Sequence, residues 1–305
     1  MVIEQKVVQD QHIIGQKGED EMGYMHIDNL YKNQDILLFK ECYASEKIHG
    51  TSAHISWKDS KVSFFSGGVE YLNFINLFNV NILTDKFIEL DRPEIVVYGE
   101  AYGGKCQRMS QTYGKDLKFV AFEVRIVDTW LCVPDAESVS VSLGLDFVPY
   151  LKSSTNLEDL DAQRDAPSIQ SMKCGIDKPK KREGIVLKPL IELRKNNGAR
   201  IIAKHKSEDF METRTPRKVG GKDLEILKQA NAIAEEWVTE MRLSHVLDNF
   251  PNPAIENTGE IIKAMIEDVE RESEGEIIKS RKARKAMSKR TAIMFKERLK
   301  ERLYK

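Results

Sequence analysis

The run Ser45-Glu46-Lys47-Ile48-His49-Gly50-Thr51 contains the residue types that covalent nucleotidyl transfer requires. A lysine amine can attack a phosphorus atom and hold the nucleotide as a phosphoramidate. A glycine three residues later lets a phosphate come close to the backbone, with no Cβ in the way. A Lys-x-x-Gly pair also arises by chance about once in a few hundred residues, so alone it reads far more readily as a surface lysine before a turn.

Four downstream segments add to it. Val96-Val97-Tyr98-Gly99-Glu100 has the pattern of a strand ending in a carboxylate. Phe119 to Val124 reads as a strand with the aromatic Phe122 beside the acid Glu123. Glu183 to Pro189 opens with an acid and carries Lys188. Ile201 to Lys206 places Lys204 and Lys206 two residues apart, hence on one face of a strand. A protonated lysine is a poor nucleophile, and nearby cations favour its neutral form while offsetting charge on the phosphate. Carboxylates are what Mg²⁺ prefers, and the set has several acids with no His/Cys cluster. A flat aromatic face suits a purine, stacking being worth about 1–3 kcal/mol per base.

These residues need a scaffold of strands. Short apolar or alternating runs predict strands at Ile36–Tyr43, Ala53–Trp57, Val62–Phe65, Ile95–Tyr98, Lys118–Val127, Gly184–Lys188 and Arg200–Lys204. Asp59-Ser60 suits a hairpin turn. Val69 to Leu90 is apolar at helical spacing, with Tyr71, Phe74, Leu77 and Phe78 expected in the core. Thr213 to Lys222, with Pro216 and Gly220-Gly221, reads as a linker. Beyond it the pattern is helical: Leu227 to Met241 with Asp223 as N-cap, then Ile261 to Val269, then a row of Met287, Thr291, Phe295, Leu299 and Leu303. The expected division is residues 1–212, a linker at 213–222, and a helical unit over 223–305.

In this order the segments resemble the covalent nucleotidyltransferase superfamily of ATP-dependent ligases and capping enzymes. The nearest resemblance is to the RNA ligase 2 family, the nick-sealing phage type. It runs from about Ile36 to Phe210 and continues loosely through Trp237-Val238-Thr239 and Arg242 to Val246. It implies an α+β fold: an N-terminal, ATP-grasp-like adenylyltransferase domain with antiparallel sheets, plus a small all-helical C-terminal domain that docks nucleic acid. It implies ATP as AMP donor, Mg²⁺ or Mn²⁺ as cofactor, and RNA as partner, at nicks in duplex RNA or an RNA/DNA hybrid. Lys47 would form lysyl-AMP, with Glu183, Lys204 and Lys206 as its catalytic company. Glu46, Ile48, His49, Gly50, Glu100, Phe122 and Lys188 would contact the nucleotide, and Glu183, Glu100 and Glu123 the metal. His54, His205 and His245 read as structural.

Two positions depart from the family pattern. Ser52 stands where members usually carry Asn, and Phe64 to Val69 lacks their arginine; the backbone of Ser66 to Gly68 could serve a phosphate or sugar instead. Single-strand RNA joining, DNA joining, or a silent member that only binds nucleotide or nucleic acid remain open. A DNA ligase or capping enzyme would carry a β-barrel after the last lysine motif, where this chain predicts helices.

Composition sets the outer limits. The 305 residues suffice for a large domain and a smaller one, or for two of medium size. No apolar run approaches a membrane span, and the N-terminus does not read as a signal peptide. Cys42, Cys106, Cys132 and Cys174 form no CxxC pair, which favours reduced thiols in the cytoplasm and argues against a zinc site. A monomer is expected. The net charge of −1 conceals a basic tail: residues 277–305 hold 12 Lys/Arg against 2 Glu. Such a tail reads as a solvated helix face or as a partner for a polyphosphate backbone.

Overall fold

The computed structural model describes residues 23–195, 197–211, 230–274, 276–277 and 279–303. The predicted linker, Asp223 and Leu227 lie outside them, as do residues 1–22.

Two antiparallel sheets form the larger part. Strands β1 (Glu41–Lys47), β2 (Thr51–Lys58), β3 (Lys61–Phe65), β4 (Glu94–Gly103), β5 (Leu117–Ile126), β6 (Thr129–Trp130), β7 (Tyr150–Ser154), β8 (Gly184–Lys188) and β9 (Ala203–Lys206) are interleaved with helices α1 (Tyr71–Ile75), α2 (Val80–Glu89), α3 (Ser110–Tyr113), α4 (Val133–Ser142), α5 (Leu157–Asp165) and α6 (Ile169–Lys173). One sheet has the order β7-β1-β8-β9 and the other β3-β2-β4-β5-β6. The chain crosses between them at residues 48–50, so Lys47 ends a strand of one sheet and Thr51 opens a strand of the other. The Asp59-Ser60 turn has positive φ at both residues (50° and 60°), as a tight hairpin requires.

Ile55, Ile95, Val97, Val120 and Phe87 centre the core of the five-stranded sheet. A smaller cluster under the four-stranded sheet includes Leu30, Ile36, Ala44, Ile185 and Leu187. After residue 230 the described chain is helical: α7 (Ala230–Trp237), α8 (Glu240–Leu247), α9 (Thr258–Glu272) and α10 (Arg281–Leu303). They enclose a separate apolar cluster around Trp237, Leu243, Met265, Met287 and Phe295. Thr291 is fully buried between Met287 and Phe295, which completes the i+4 row read from the sequence.

Several element boundaries differ from expectation. Residues Asp35–Leu38 form a 3₁₀ turn, and the strand begins later, at Glu41. The turn buries Ile36 and leaves Leu38 84% exposed, an outcome an apolar run alone does not predict. The single helix expected over Val69–Leu90 is two, because Asn79 Oδ1 accepts a hydrogen bond from Ile82 N (3.2 Å) and starts a new one. Phe74 is buried in the core and Phe78 packs against it, whereas Tyr71 (51%) and Leu77 (36%) are exposed. The last strand begins at Ala203 rather than Arg200. Among the described residues no helix is long and apolar enough to cross a membrane. All four cysteines are unpaired.

Candidate active site

Sheet register assembles the site. Lys47 pairs with Gly184 across β1 and β8, and Gly184 pairs with Lys206 across β8 and β9. The next row joins Ser45, Val186 and Lys204. Cross-strand neighbours share a face, so the nucleophile candidate and both lysines of β9 stand together. At Gly184 a Cβ would lie 2.2 Å from His205 O, so this row closes only around a glycine.

Glu183 precedes that glycine and is 1% exposed. Its Oε2 lies 3.0 Å from Lys47 Nζ and 3.3 Å from His49 Nδ1, and its Oε1 lies 3.0 Å from Lys206 Nζ. Burial works against its charged form, but Lys47, Lys206 and His49 outweigh it and hold the carboxyl well below its ordinary range. His49 is itself buried, which lowers its pKa against the pull of Glu183. The His49 ring meets Phe210 at 5.1 Å and His245, from α8, at 5.5 Å between centroids.

A cavity of about 290 Å³ adjoins Lys47. Ser45, Glu46, Ile48, Ser52, Glu100, Phe122, Val186, Lys188 and Lys204 line it, together with Tyr24 to Ile27. Phe122 reaches it through a bulge: Tyr98 pairs with Glu123 and Gly99 with Ala121, leaving Phe122 as the extra residue. Lys188 Nζ lies 2.7 Å from Glu123 Oε1 and donates to Phe122 O (3.3 Å), which pins the bulge. Tyr24 covers the Phe122 ring edge-on at 4.9 Å.

At three expected site positions the structure shows partners that the sequence did not suggest. Glu123, expected near the metal, has both oxygens filled. Lys188 and Arg200 Nη2 (2.5 Å) take Oε1, while Arg200 Nη1 (2.9 Å) and the Tyr24 hydroxyl take Oε2. Burial opposes its charge, yet Lys188 and Arg200 bring its pKa down to about 2. Glu123 therefore anchors the bulge beneath Phe122, and Lys188 serves that anchor.

Glu46, expected to contact nucleotide, caps α6. It accepts from Ser168 Oγ (2.5 Å), Ile169 N (2.9 Å) and Gln170 N (3.2 Å). The packing of the backbone alone already calls for glycine at position 50, where a Cβ would sit 2.3 Å from Ala101 O. Its N–H donates to Glu100 Oε1 at 3.1 Å.

Ile48 is both core and cavity wall. The Gly68 N–H, a candidate phosphate donor, is taken by Thr51 Oγ1 (2.9 Å), and Ser66 Oγ donates to Val69 O (2.8 Å). His205, read as structural, pairs with Asp161 at 2.6 Å. Tyr24, Arg200, Ser168 and Glu272 escaped sequence reading, because their partners lie far away in the chain and no local spacing marks them; His245, read as structural, stands against His49.

Glu100 is the carboxylate left over. Burial raises its pKa to about 8, Glu183 adds to the rise, and Lys47 and the Gly50 N–H only partly offset it. Two carboxylates in electrostatic reach, one without a cationic partner at hydrogen-bond distance among the described residues, suit a hard divalent cation. Among the described residues no group of three or more His, Cys, Asp or Glu could hold a metal by itself, so phosphate and water oxygens would complete the coordination.

A family model described as RNA ligase matches residues 40–206, more than half of the chain. The chain belongs to the RNA ligase family. The match begins just before β1 and ends on Lys206, so it covers all of the strands that carry the lysine and carboxylate cluster. Among solved structures, this family member is similar to a Naegleria gruberi RNA ligase with PPi, at 18% identity and a TM-score of 0.50, covering 68% of this chain and 62% of that one. A point mutant of the Naegleria gruberi enzyme with AMP and Mn gives 18% identity and a TM-score of 0.50, over 65% and 59% of the two chains. An apo mutant gives 19% and 0.50 over the same shares. These likenesses show a shared fold. The chain spans about 62% of the length of the first of these structures. No curated protein matches it.

Proposed function

We propose that this chain is an ATP-dependent RNA ligase that joins 3′-OH and 5′-phosphate ends through lysyl-AMP. The observation that carries the reading is the Lys47 amine at the mouth of a cavity with an aromatic wall, 3.0 Å from a carboxylate shared with Lys206. Two Naegleria gruberi structures hold PPi, or AMP and Mn, ligands this chemistry calls for.

Adenine stacks on Phe122. Lys47 Nζ, once neutral, attacks the α-phosphorus of ATP; the N–P bond forms as the bond to pyrophosphate breaks. Glu183, held as a carboxylate, orients the Lys47 amine, whose proton leaves to solvent, while Lys204 and Lys206 face the charge that develops on phosphate oxygens. A bound Mg²⁺ or Mn²⁺, held by Glu100 and Glu183, would supply further charge neutralisation at the phosphates. AMP then passes to the 5′-phosphate of a nucleic-acid strand, and a 3′-hydroxyl displaces it. Helices α7 to α10, forming a C-terminal unit with a basic last helix, dock the RNA around a nick. The protein acts as a cytoplasmic monomer.

Incubation with α-³²P-ATP and Mg²⁺ should leave a covalent label on the wild type and none on Lys47→Ala. An unlabelled wild type would remove the ligase reading. Sealing assays on nicked duplex RNA, nicked DNA and single-stranded RNA would then assign the substrate.

A further inference from the structure

Glu272, the last residue of α9, carries a carboxylate to the rim of the nucleotide cavity. Its Oε1 lies 3.6 Å from Lys204 Nζ and 3.1 Å from His26 Nδ1. Lys204 and His26 both line the cavity, and Glu272 is only 6% exposed. A helix from outside the sheets thus places an anion on a lysine of the cavity wall.

We propose that Glu272 competes with nucleotide phosphate for Lys204, so that filling the cavity and holding α9 against it oppose one another. The inference rests on the reading of the cavity as a nucleotide site. Two anions on one ammonium in a site shielded from water repel each other strongly. The Lys204 backbone is held in place: its N–H donates to Asp28 O (2.9 Å), its carbonyl accepts from Leu30 N (2.8 Å), and it lies in the ladder opposite Val186. Glu272 comes from the end of a helix outside that ladder. A second contact nearby separates competition from mere docking. Glu276 pairs with Lys32 at 3.3 Å, and neither residue lines the cavity. Coupling between two ligands of one group is reciprocal. Nucleotide should loosen the end of α9, and removing the Glu272 charge should tighten nucleotide binding. The protein would thereby register a filled cavity as a change in how its helices sit.

The test is calorimetric titration of the full chain with an ATP analogue whose α,β-bridging oxygen is a methylene. Glu272→Gln should bind it about fivefold or more tightly than wild type, while Glu276→Gln binds as wild type does. Hydrogen exchange over residues 258–272 should accelerate when wild type binds the analogue. Equal or weaker binding by Glu272→Gln, equal tightening by both variants, or no binding by any of the three proteins would overturn the competition. Analogue binding with the expected difference, but no covalent label from ATP, would reject the ligase reading and leave the competition standing.

Discussion

Lys47 and Lys206 stand on opposite oxygens of one buried carboxylate, each 3.0 Å from Glu183. The arrangement presents an amine and a second cation to the same small volume while a fixed anion keeps them from repelling each other apart. It also explains why β1, β8 and β9 must be neighbours in one sheet.

Phe122 is expected to carry base binding and little of the chemistry. Phe122→Ala removes a stacking surface worth about 1–3 kcal/mol. The ATP concentration for half-maximal lysyl-AMP formation should then rise roughly five- to hundredfold, with the saturated rate changing far less. A lost rate at unchanged ATP dependence would contradict the placement of the base.

Glu123 is expected to matter for stability before catalysis. Removing its charge leaves Arg200 and Lys188 buried beside each other without their shared anion. Glu123→Gln should cost about 3–5 kcal/mol in urea unfolding. Its carboxyl is shifted from 4.5 down to about 2, so its contribution is present above the unfolded value and fades as pH falls from 4.5 toward 2. If Glu123→Gln unfolded like wild type and only metal dependence changed, the metal role read from the sequence would be restored.

Glu46 offers a direct contest between two readings. As the cap of α6 it should cost about 1–2 kcal/mol of stability when changed to alanine, with a smaller effect on ATP dependence than Phe122→Ala. Unchanged stability with lost ATP binding would instead support direct nucleotide contact.

Glu100 should give the protein a pH signature. Its pKa rises from 4.5 to about 8, chiefly through burial. The folded state therefore binds this proton more tightly than the unfolded chain does. The stability it contributes is complete below 4.5 and is lost as pH rises through about 8. Without divalent cation, the melting temperature of wild type should fall over that window by about 2–4 °C per kcal/mol lost. Glu100→Gln cannot ionise and should fall less. Added Mg²⁺ should shrink the wild-type drop, because it stabilises the charged form. Parallel curves for the two proteins would refute the assignment.

Local pattern made much of the site legible. Period-two spacing put Lys204 and Lys206 on one face, an aromatic beside an acid marked the Phe122 strand, and the i+4 row from Met287 to Leu299 announced the last helix. Residues such as these report their roles within a few positions of chain, because strand and helix geometry is local. What the sequence left open was which charge meets which. Whether Glu123 meets a metal or Arg200, whether Glu46 meets a nucleotide or the start of α6, and whether Gly50 yields to phosphate or to Ala101 depend on residues from 51 to 124 positions away. Those pairings follow from strand register and from the contact of α6 with the sheets. Neither is written in any short stretch, since each is settled by the packing of the whole chain.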